Sequence, residues 1–264
     1  APRGQQVHLQ WLQDGQAHPV QALADQSDDP ELITRLDRWM LVQACRAAAG
    51  WPAHAGEAAP WVGVALSACA SGAEALPALV RDVLAEEGLP PQRLMLKFPA
   101  RLLTDSHRHE HLLGTLMRLR AQGVRIALGR VGEQPIVLQR LMDAPVDQLV
   151  VEAPAAGQPG LGSALVRALA ALGAQCGFGV VAEGLATPAQ LQWARAAGCG
   201  LGQGAAVDAL PMDAEAAEPA LPRKCRAVFS GCAGRARAAP PGSGRPPRAR
   251  ARAAAPRPAA RDAG

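Results

Sequence analysis

Tyrosine is absent from this 264-residue sequence, which contains three phenylalanines and five tryptophans. Long apolar runs are missing as well. The most apolar stretch is interrupted by Arg167 and by glycines, and it falls short of the roughly 18–20 residues that a membrane-spanning helix needs. The first residues, APRGQQ, lack the charged and then apolar layout of a signal peptide. The sequence therefore predicts no membrane span, and the missing initial methionine suggests the C-terminal part of a longer chain.

Cysteine pairs at metal-binding or redox spacing are also missing. The six cysteines are Cys45, Cys69, Cys176, Cys199, Cys225 and Cys232, with no C-x-x-C motif among them. This scatter indicates neither a disulfide framework nor a zinc site. Free thiols are typical of the reducing cytoplasm, where we expect the chain to reside.

Acidic residues are nearly missing from the end of the chain. Residues 221–264 contain eleven Arg or Lys residues and a single acid, Asp262, so they carry a net charge of +10. Because the whole chain carries +4, residues 1–220 carry −6. From about Pro222 onward the composition is mainly Ala, Arg, Pro and Gly, which cannot bury enough apolar surface to offset the entropy of ordering. We therefore predict a disordered basic tail over residues 222–264.

A basic arm of this kind can bind nucleic acid or acidic lipid through its charge. Phe229 is the one aromatic residue in the tail, and no recognition motif accompanies it. A solvated extension, or an out-of-frame end of a GC-rich gene, is favoured over a binding role. Any nucleic-acid binding by this chain is expected to reside in the tail.

Strand-like and helical patterns alternate through the first 213 residues. The strand-like runs are Val7–Leu12, Trp61–Ala68, Arg93–Phe98, Val124–Leu128, Gln148–Glu152, Phe178–Glu183 and Gly200–Ala206. The helical patterns are Asp29–Ala48, Leu76–Glu87, His109–Gln122, Ile136–Met142, Leu161–Ala174 and Thr187–Ala197. This alternation, with no hairpin signal recognised, predicts a parallel sheet covered by helices. The G-x-G-x-x-G fingerprint is absent after the first strand, so a (β/α) barrel is favoured over an open dinucleotide-binding sheet.

In such a barrel the functional residues lie at the carboxyl ends of the strands. Alternation of side chains along each strand predicts which of them point into the barrel. The residues predicted to line the barrel mouth are Lys97, Arg130, Glu152, Glu183 and Gln203. These residue types are poorly suited to catalysis, and no Ser–His–Asp arrangement follows from the spacing.

A separate group of potential metal ligands, His107, His109, Glu110 and His111, follows the third strand. Its position at the start of a helix favours a solvated face, or a glutamate at the helix start, over a metal site.

Six segments, in this order, resemble the EAL domain family. They are LDRWMLVQAC, LPPQRLMLKF, RLRAQGVRIALGRVG, APVDQLVVE, GVVAEGLAT and GCGLGQG. The resemblance covers residues 5–213 and implies a modified TIM barrel. Active members of that family are bacterial phosphodiesterases that linearise cyclic di-GMP. They use carboxylates and an asparagine to hold two divalent ions that activate water.

The residues that the family uses for this chemistry are mostly replaced here. The positions that the resemblance assigns as substituted are Gln6 and Gln10 (strand-one signature), Ala65 (asparagine), Lys97 (glutamate), Gly129 and Arg130 (paired aspartates) and Val150 (lysine). Glu183 and Gln203 match the family pattern, and Glu152 stands where an aspartate is usual. Mg²⁺ and Mn²⁺ need several oxygen ligands, and Glu183 is the one carboxylate left among the aligned ligands. We therefore expect no catalytic residue, no bound metal and no other cofactor.

The sequence predicts a catalytically inactive EAL-like module that acts in a bacterial cyclic di-GMP pathway through protein–protein interaction. The alternative is a cyclic di-GMP receptor, or a phosphodiesterase with residual activity, since Lys97 and Arg130 could attract a phosphate. Cyclic di-GMP binding is not expected, because Gln10 replaces the phosphate-contacting arginine. The partner is an unidentified protein or, as the resemblance suggests, a second copy of this chain. We expect Lys97 and Arg130 to form an ion network with the acids of the barrel mouth.

Overall fold

The computed structural model describes residues 4–13, 16–19, 29–53, 59–67, 74–105, 109–132, 137–153, 161–208 and 225–234. The strands are β1 (Gly4–Gln13), β2 (Gln16–Pro19), β3 (Trp61–Ala65), β4 (Leu94–Pro99), β5 (Arg125–Gly129), β6 (Gln148–Glu152), β7 (Gly179–Glu183), β8 (Leu201–Gln203) and β9 (Cys225–Gly234). The α-helices are α1 (Pro30–Ala49), α2 (Leu76–Glu87), α3 (His109–Ala121), α4 (Leu138–Asp143), α5 (Leu161–Cys176), α6 (Pro188–Ala196) and α7 (Ala205–Asp208). Short 3-10 helices span Pro91–Arg93 and Ala100–Leu103.

Seven of the strands form a parallel ladder in the order β1, β3, β4, β5, β6, β7 and β8. β2 is the antiparallel partner of β1. β9 pairs antiparallel with both β1 and β8, so it joins the two ends of the ladder. The predicted TIM-type barrel of mainly parallel strands is confirmed.

Local sequence signals set the helix ends. The carboxylate of Asp29 accepts hydrogen bonds from two backbone N–H groups in the first turn of α1, at 3.0 Å each, and Pro30 fits that turn because it has no N–H to lose. A capping box begins α6: the Thr187 hydroxyl accepts from the Gln190 N–H, and the Gln190 side chain accepts from the Thr187 N–H. α2 ends at Gly88, whose left-handed φ of 66° favours glycine.

Two apolar layers position the mouth. The larger layer lies between the strands and the surrounding helices, and it includes the outward-facing Leu94, Leu96 and Phe98, each fully buried. The smaller layer fills the barrel interior with the side chains of Trp61, Met95, Ala127, Val150 and Val181. Side chains therefore alternate along β4, with the leucines outward and Met95 inward.

Trp61 fills the amino-terminal end of the barrel. It is the first residue of β3 and is 8% exposed. Its ring occupies the space that a Cβ on Gly4 of β1 would need, so glycine at position 4 allows the tryptophan to enter the barrel. The tryptophan therefore closes the barrel interior at the end opposite the mouth.

Two elements differ from the sequence prediction. β1 and β2 form a hairpin, and the residues between them in the sequence, Asp14 and Gly15, are a dipeptide typical of two-residue hairpin turns. β9 lies within the tail that was predicted to lack fixed contacts, and this prediction is corrected for residues 225–234. A strand there satisfies the backbone groups that the edges of β1 and β8 would otherwise leave unpaired. The remainder of the tail, and the predicted domain boundaries at 213 and 222, lie outside the described residues.

Across the described ranges, no helix combines the length and the apolar composition that crossing a membrane requires.

Candidate functional site

The candidate site lies inside the barrel at the carboxyl ends of β4, β5 and β7. Lys97 alternates with the interior residue Met95 along β4, and Glu183 alternates with the interior residue Val181 along β7. Gly129 is the last residue of β5, between them. Lys97 and Glu183 therefore point into the mouth, as the alternation predicted.

Lys97 and Glu183 form an ion pair across the mouth. Lys97 Nζ donates to both Oε1 and Oε2 of Glu183, at 3.0 Å each. The side chains are 14% and 18% exposed, so the attraction between their charges is less screened than it would be at the surface. The contact joins β4 to β7, which are separated in the ladder by β5 and β6. The expected pairing of these two residues is confirmed.

The aliphatic part of Lys97 runs over Gly129. A Cβ on Gly129 would lie 3.0 Å from Lys97 Cδ and 3.1 Å from Lys97 Cγ, which is closer than ordinary van der Waals contact. The backbone of Gly129 does not adopt a positive φ. Glycine is needed here to give the lysine space, and not to form the turn.

The turn after β5 begins with Arg130, which adopts a left-handed φ of 60°. This conformation costs a non-glycine residue roughly 1–2 kcal/mol, and such strain is concentrated at functional sites and tight turns. Glu152 ends β6 as the register partner of Glu183 on β7, so two acids lie side by side at the mouth. Pairing of Arg130 with these acids stays a prediction.

The other singled-out positions lie on the strands that form the barrel wall. Gln6 and Gln203 are buried, at 6% and 4% exposure, and Gln6 Nε2 has no hydrogen-bond partner among the described residues. Val150 packs in the interior layer, and Ala65 ends β3. Gln10 lies in β1, but its side chain is outside the described part of the structure.

One cavity inside the barrel, of about 10 Å³, is lined by Lys97, by Gln6, Gln148 and Gln203, and by the apolar interior layer. This is about the volume that one water molecule requires.

These residues do not suit a divalent cation. Both carboxylate oxygens of Glu183 bind the Lys97 ammonium, whose charge would repel a metal ion at the same carboxylate. Among the residues that the structure describes, no group of three or more His, Cys, Asp or Glu side chains is arranged to hold a metal. Of the HRHEH segment, His109, Glu110 and His111 form the first turn of α3, and His107 lies outside the described ranges.

A buried acid near the mouth, Asp37 of α1, is not among the site residues predicted from the sequence. Its Oδ2 accepts a hydrogen bond of 3.0 Å from the backbone N–H of Ser67, just after β3, and the residue is 9% exposed. Burial raises the pKa of the Asp37 carboxyl, and the hydrogen bonds from Ser67 oppose that rise. Its helical spacing could have predicted its burial, because Asp37 lies four residues after Ile33 and four before Leu41, on the buried face of the helix.

The buried Cys45 and the half-buried Cys199 have thiols of low reactivity. Burial raises the pKa of Cys45 to about 12 and the pKa of Cys199 to about 11. Both thiols, and that of Cys176, are free. Because the thiolate is the reactive form, Cys45 and Cys199 are poor nucleophiles and metal ligands at neutral pH.

Comparison with known proteins connects this geometry to one family. A family model described as EAL domain matches residues 1–209. An uncharacterized signaling protein of Caulobacter vibrioides is 33% identical over 202 residues, which is 73% of this chain and 24% of that protein. The chain thus spans about a quarter of the length of that relative.

Solved structures share the fold. The MucR phosphodiesterase of Pseudomonas aeruginosa in complex with cyclic di-GMP matches with a TM-score of 0.62 and 25% identity, over 75% of this chain and 92% of that one. Klebsiella pneumoniae BlrP1, in a complex with manganese and cyclic di-GMP, matches with a TM-score of 0.61 and 17% identity, over 89% of this chain and 62% of that one. The second likeness concerns the fold alone.

Proposed function

The chain belongs to the EAL domain family, and we propose that it acts in cyclic di-GMP signalling as a regulatory module without phosphodiesterase activity. Its output is contact with another protein. The observation that carries this proposal is the ion pair between Lys97 and Glu183 at the carboxyl ends of the barrel strands.

Phosphodiester hydrolysis by the family mechanism needs divalent ions at this mouth to activate water. Two unit charges about 4 Å apart interact by about 4 kcal/mol at an effective dielectric near 20, so a divalent ion beside the Lys97 ammonium would meet roughly twice that repulsion. Movement of the lysine would relieve the repulsion but would not supply the missing oxygen ligands at Ala65, Gly129 or Arg130. Glu183 alone is too few ligands for Mg²⁺ or Mn²⁺.

A second candidate function is binding of cyclic di-GMP without turnover, or with residual turnover. Retention of Glu183 and Gln203 favours it, as does the positive charge of Arg130 at the turn after β5. The MucR phosphodiesterase is similar in fold and is described in complex with this nucleotide. Against it stands the glutamine at position 10, where a phosphate-binding arginine is expected.

Two measurements on the full chain separate these functions. Calorimetric titration with cyclic di-GMP, in buffer with Mg²⁺ or Mn²⁺, is expected to give no binding heat, and chromatography of the incubated nucleotide is expected to yield no linear product. The Pseudomonas MucR phosphodiesterase is the positive control. Binding without product would support the receptor, and product formation that Glu183→Ala abolishes in a folded protein would overturn the inactive assignment.

The partner is proposed to be a protein, with a second copy of this chain as one candidate. Light scattering over a range of protein concentrations tests the homodimer. Nucleic-acid binding is proposed only for the basic tail, because the eleven Arg or Lys residues of 221–264 are the concentrated positive charge of the chain. Such binding would weaken steeply with added salt and would vanish when the tail is removed.

A further inference from the structure

We infer that the Lys97 ammonium is a built-in cation that takes the place of a divalent metal ion at the barrel mouth. The inference rests on the proposed function, because it concerns the same site, but it makes a separate claim. The ammonium of Lys97 links the strand ends at the mouth, and the stability of the protein does not depend on metal ions in solution. The Klebsiella neighbour, which shares the fold, is described with manganese.

The position of the ammonium supports this role. A metal ion in a carboxylate-lined mouth draws together acids that end different strands. Lys97 Nζ makes a comparable bridge from β4 to β7, since it contacts both oxygens of Glu183 at 3.0 Å. One lysine thus supplies the positive charge and the link between strands.

Space for the lysine comes from Gly129. Its hypothetical Cβ would lie 3.0 Å from Lys97 Cδ, so a side chain at position 129 would require the lysine stem to shift by a few tenths of an ångström. Lysine at 97 and glycine at 129 therefore act together: the first supplies the cation, and the second lets it reach the acid.

Backbone hydrogen bonds connect Glu183 and the residues that follow it to the neighbouring strands β6 and β8. The carbonyl of Glu183 accepts a hydrogen bond of 2.7 Å from the N–H of Ala153, which follows β6. Two residues later, the N–H of Leu185 donates to the carbonyl of Gln203 on β8 at 3.1 Å. Anchoring the Glu183 side chain thereby holds the ends of β6, β7 and β8 in register.

The first test compares melting temperatures of the full chain in EDTA, Mg²⁺ and Mn²⁺. The unchanged protein is expected to melt within about 1 °C in all three, because a ligand that does not bind the native state does not stabilise it. Lys97→Met, which keeps the length of the side chain and removes its charge, is expected to lower the melting temperature by roughly 3–8 °C. The matched control is Arg46→Met, which breaks the more exposed pair with Glu87 and should cost less than about 2 °C.

The second test converts the mouth back to a metal site. Lys97→Glu combined with Gly129→Asp adds two carboxylates beside Glu183, and this variant is expected to gain at least about 3 °C from saturating Mn²⁺. The loss of free Mn²⁺ signal in electron paramagnetic resonance would report binding directly. No Mn²⁺ response in the folded double variant would count against the inference.

Two further outcomes would overturn the inference. In the first, Mn²⁺ raises the melting temperature of the unchanged protein, and Glu183→Gln abolishes that rise. In the second, the Lys97→Met variant is as stable as the Arg46→Met control. Hydrolysis of cyclic di-GMP is assayed on the same samples. If the protein hydrolyses cyclic di-GMP but its melting temperature does not change with metal, the proposed function is wrong and the inference about Lys97 stands. If metal raises the melting temperature but no hydrolysis occurs, only the inference about Lys97 is wrong.

Discussion

Lys97 Nζ lies 3.0 Å from each carboxylate oxygen of Glu183, although the two residues are 86 positions apart in the chain. The pair spans the barrel mouth, and most of its surface is shielded from water. A charged side chain in such a place destabilises the fold little while it is paired. Removing its partner lowers the free energy of unfolding, because the remaining charge is left unpaired away from water. Several measurable consequences depend on this asymmetry.

Glu183→Ala should destabilise the fold, because it leaves the Lys97 ammonium without its acid. Breaking a fully buried pair costs about 3–5 kcal/mol, and the partial exposure of these side chains reduces the expected loss to roughly 1–3 kcal/mol. Urea unfolding followed by circular dichroism gives the free energy. Glu87→Ala is the control, since its partner Arg46 is 61% exposed and the loss should stay below about 1 kcal/mol. Equal losses at the two sites would contradict the prediction.

Gly129→Ala should be destabilising only while Lys97 is present. The added methyl group would crowd the lysine stem, at an expected cost of about 1–3 kcal/mol, and in a Lys97→Ala background the cost should fall close to zero. A double-mutant cycle measures this coupling. Gly200→Ala is the control, because nothing lies within 4 Å of its Cβ position and it has no positive φ. Additive effects at positions 97 and 129 would show that the two side chains do not share this space.

Asp37→Asn should make the protein less sensitive to pH. Burial raises the folded-state pKa of Asp37 above its ordinary value of 3.8, so its contribution to stability is fully present below that value and is lost as pH rises through the raised pKa. Asparagine is expected to keep the hydrogen bond from Ser67 without burying a charge, and thus to be more stable than the original protein at neutral pH. Unfolding free energies measured across acidic to neutral pH test the sign.

Asp82→Asn is the control for the Asp37 measurement. This carboxylate lies on α2, its side chain is 58% exposed, and the change should stay within about 0.5 kcal/mol at every pH. A loss of stability for Asp37→Asn at neutral pH would mean that the charged hydrogen bond outweighs the burial.

Cys45 and Cys199 should resist alkylation in the native protein. With pKa values of about 12 and about 11, only a very small fraction of either thiol is ionised at neutral pH. Labelling with iodoacetamide, followed by peptide mass spectrometry, is expected to modify both residues in urea and neither in buffer. Rapid labelling of Cys45 in buffer would show that the layer between α1 and the sheet opens readily.

Truncation should separate β9 from the rest of the basic tail. Removing residues 235–264 should leave stability nearly unchanged, whereas removing 225–264 should lower the melting temperature, because β1 and β8 both lose their pairing with β9. Thermal melts of the two truncated chains measure the difference. Identical melting temperatures would indicate that β9 contributes little to closure of the sheet.

The order of elements and the direction of side chains could be predicted from the sequence. Helical spacing and end signals located α2 at residues 76–87, and period-two alternation located β6 at residues 148–152. These signals are local, because the period of the backbone decides which face each residue presents. Alternation also pointed Lys97 and Glu183 inward before any contact between them was known. The hairpin of β1 and β2 was missed although Asp14–Gly15 marks it, since a single dipeptide is a weak signal beside seven strand–helix repeats.

What the sequence by itself determined was therefore the barrel architecture and the inward direction of Lys97 and Glu183. Tertiary structure decided the rest. β9 forms because the edges of β1 and β8 are both available to it, and the sequence of residues 225–234 alone does not reveal those edges. Asp37 accepts a hydrogen bond from the Ser67 N–H, and Gly129 leaves room for the Lys97 side chain. Both contacts arise because segments that are remote in sequence converge at the mouth. Register and closure set these distances, and neither is a property of any one segment.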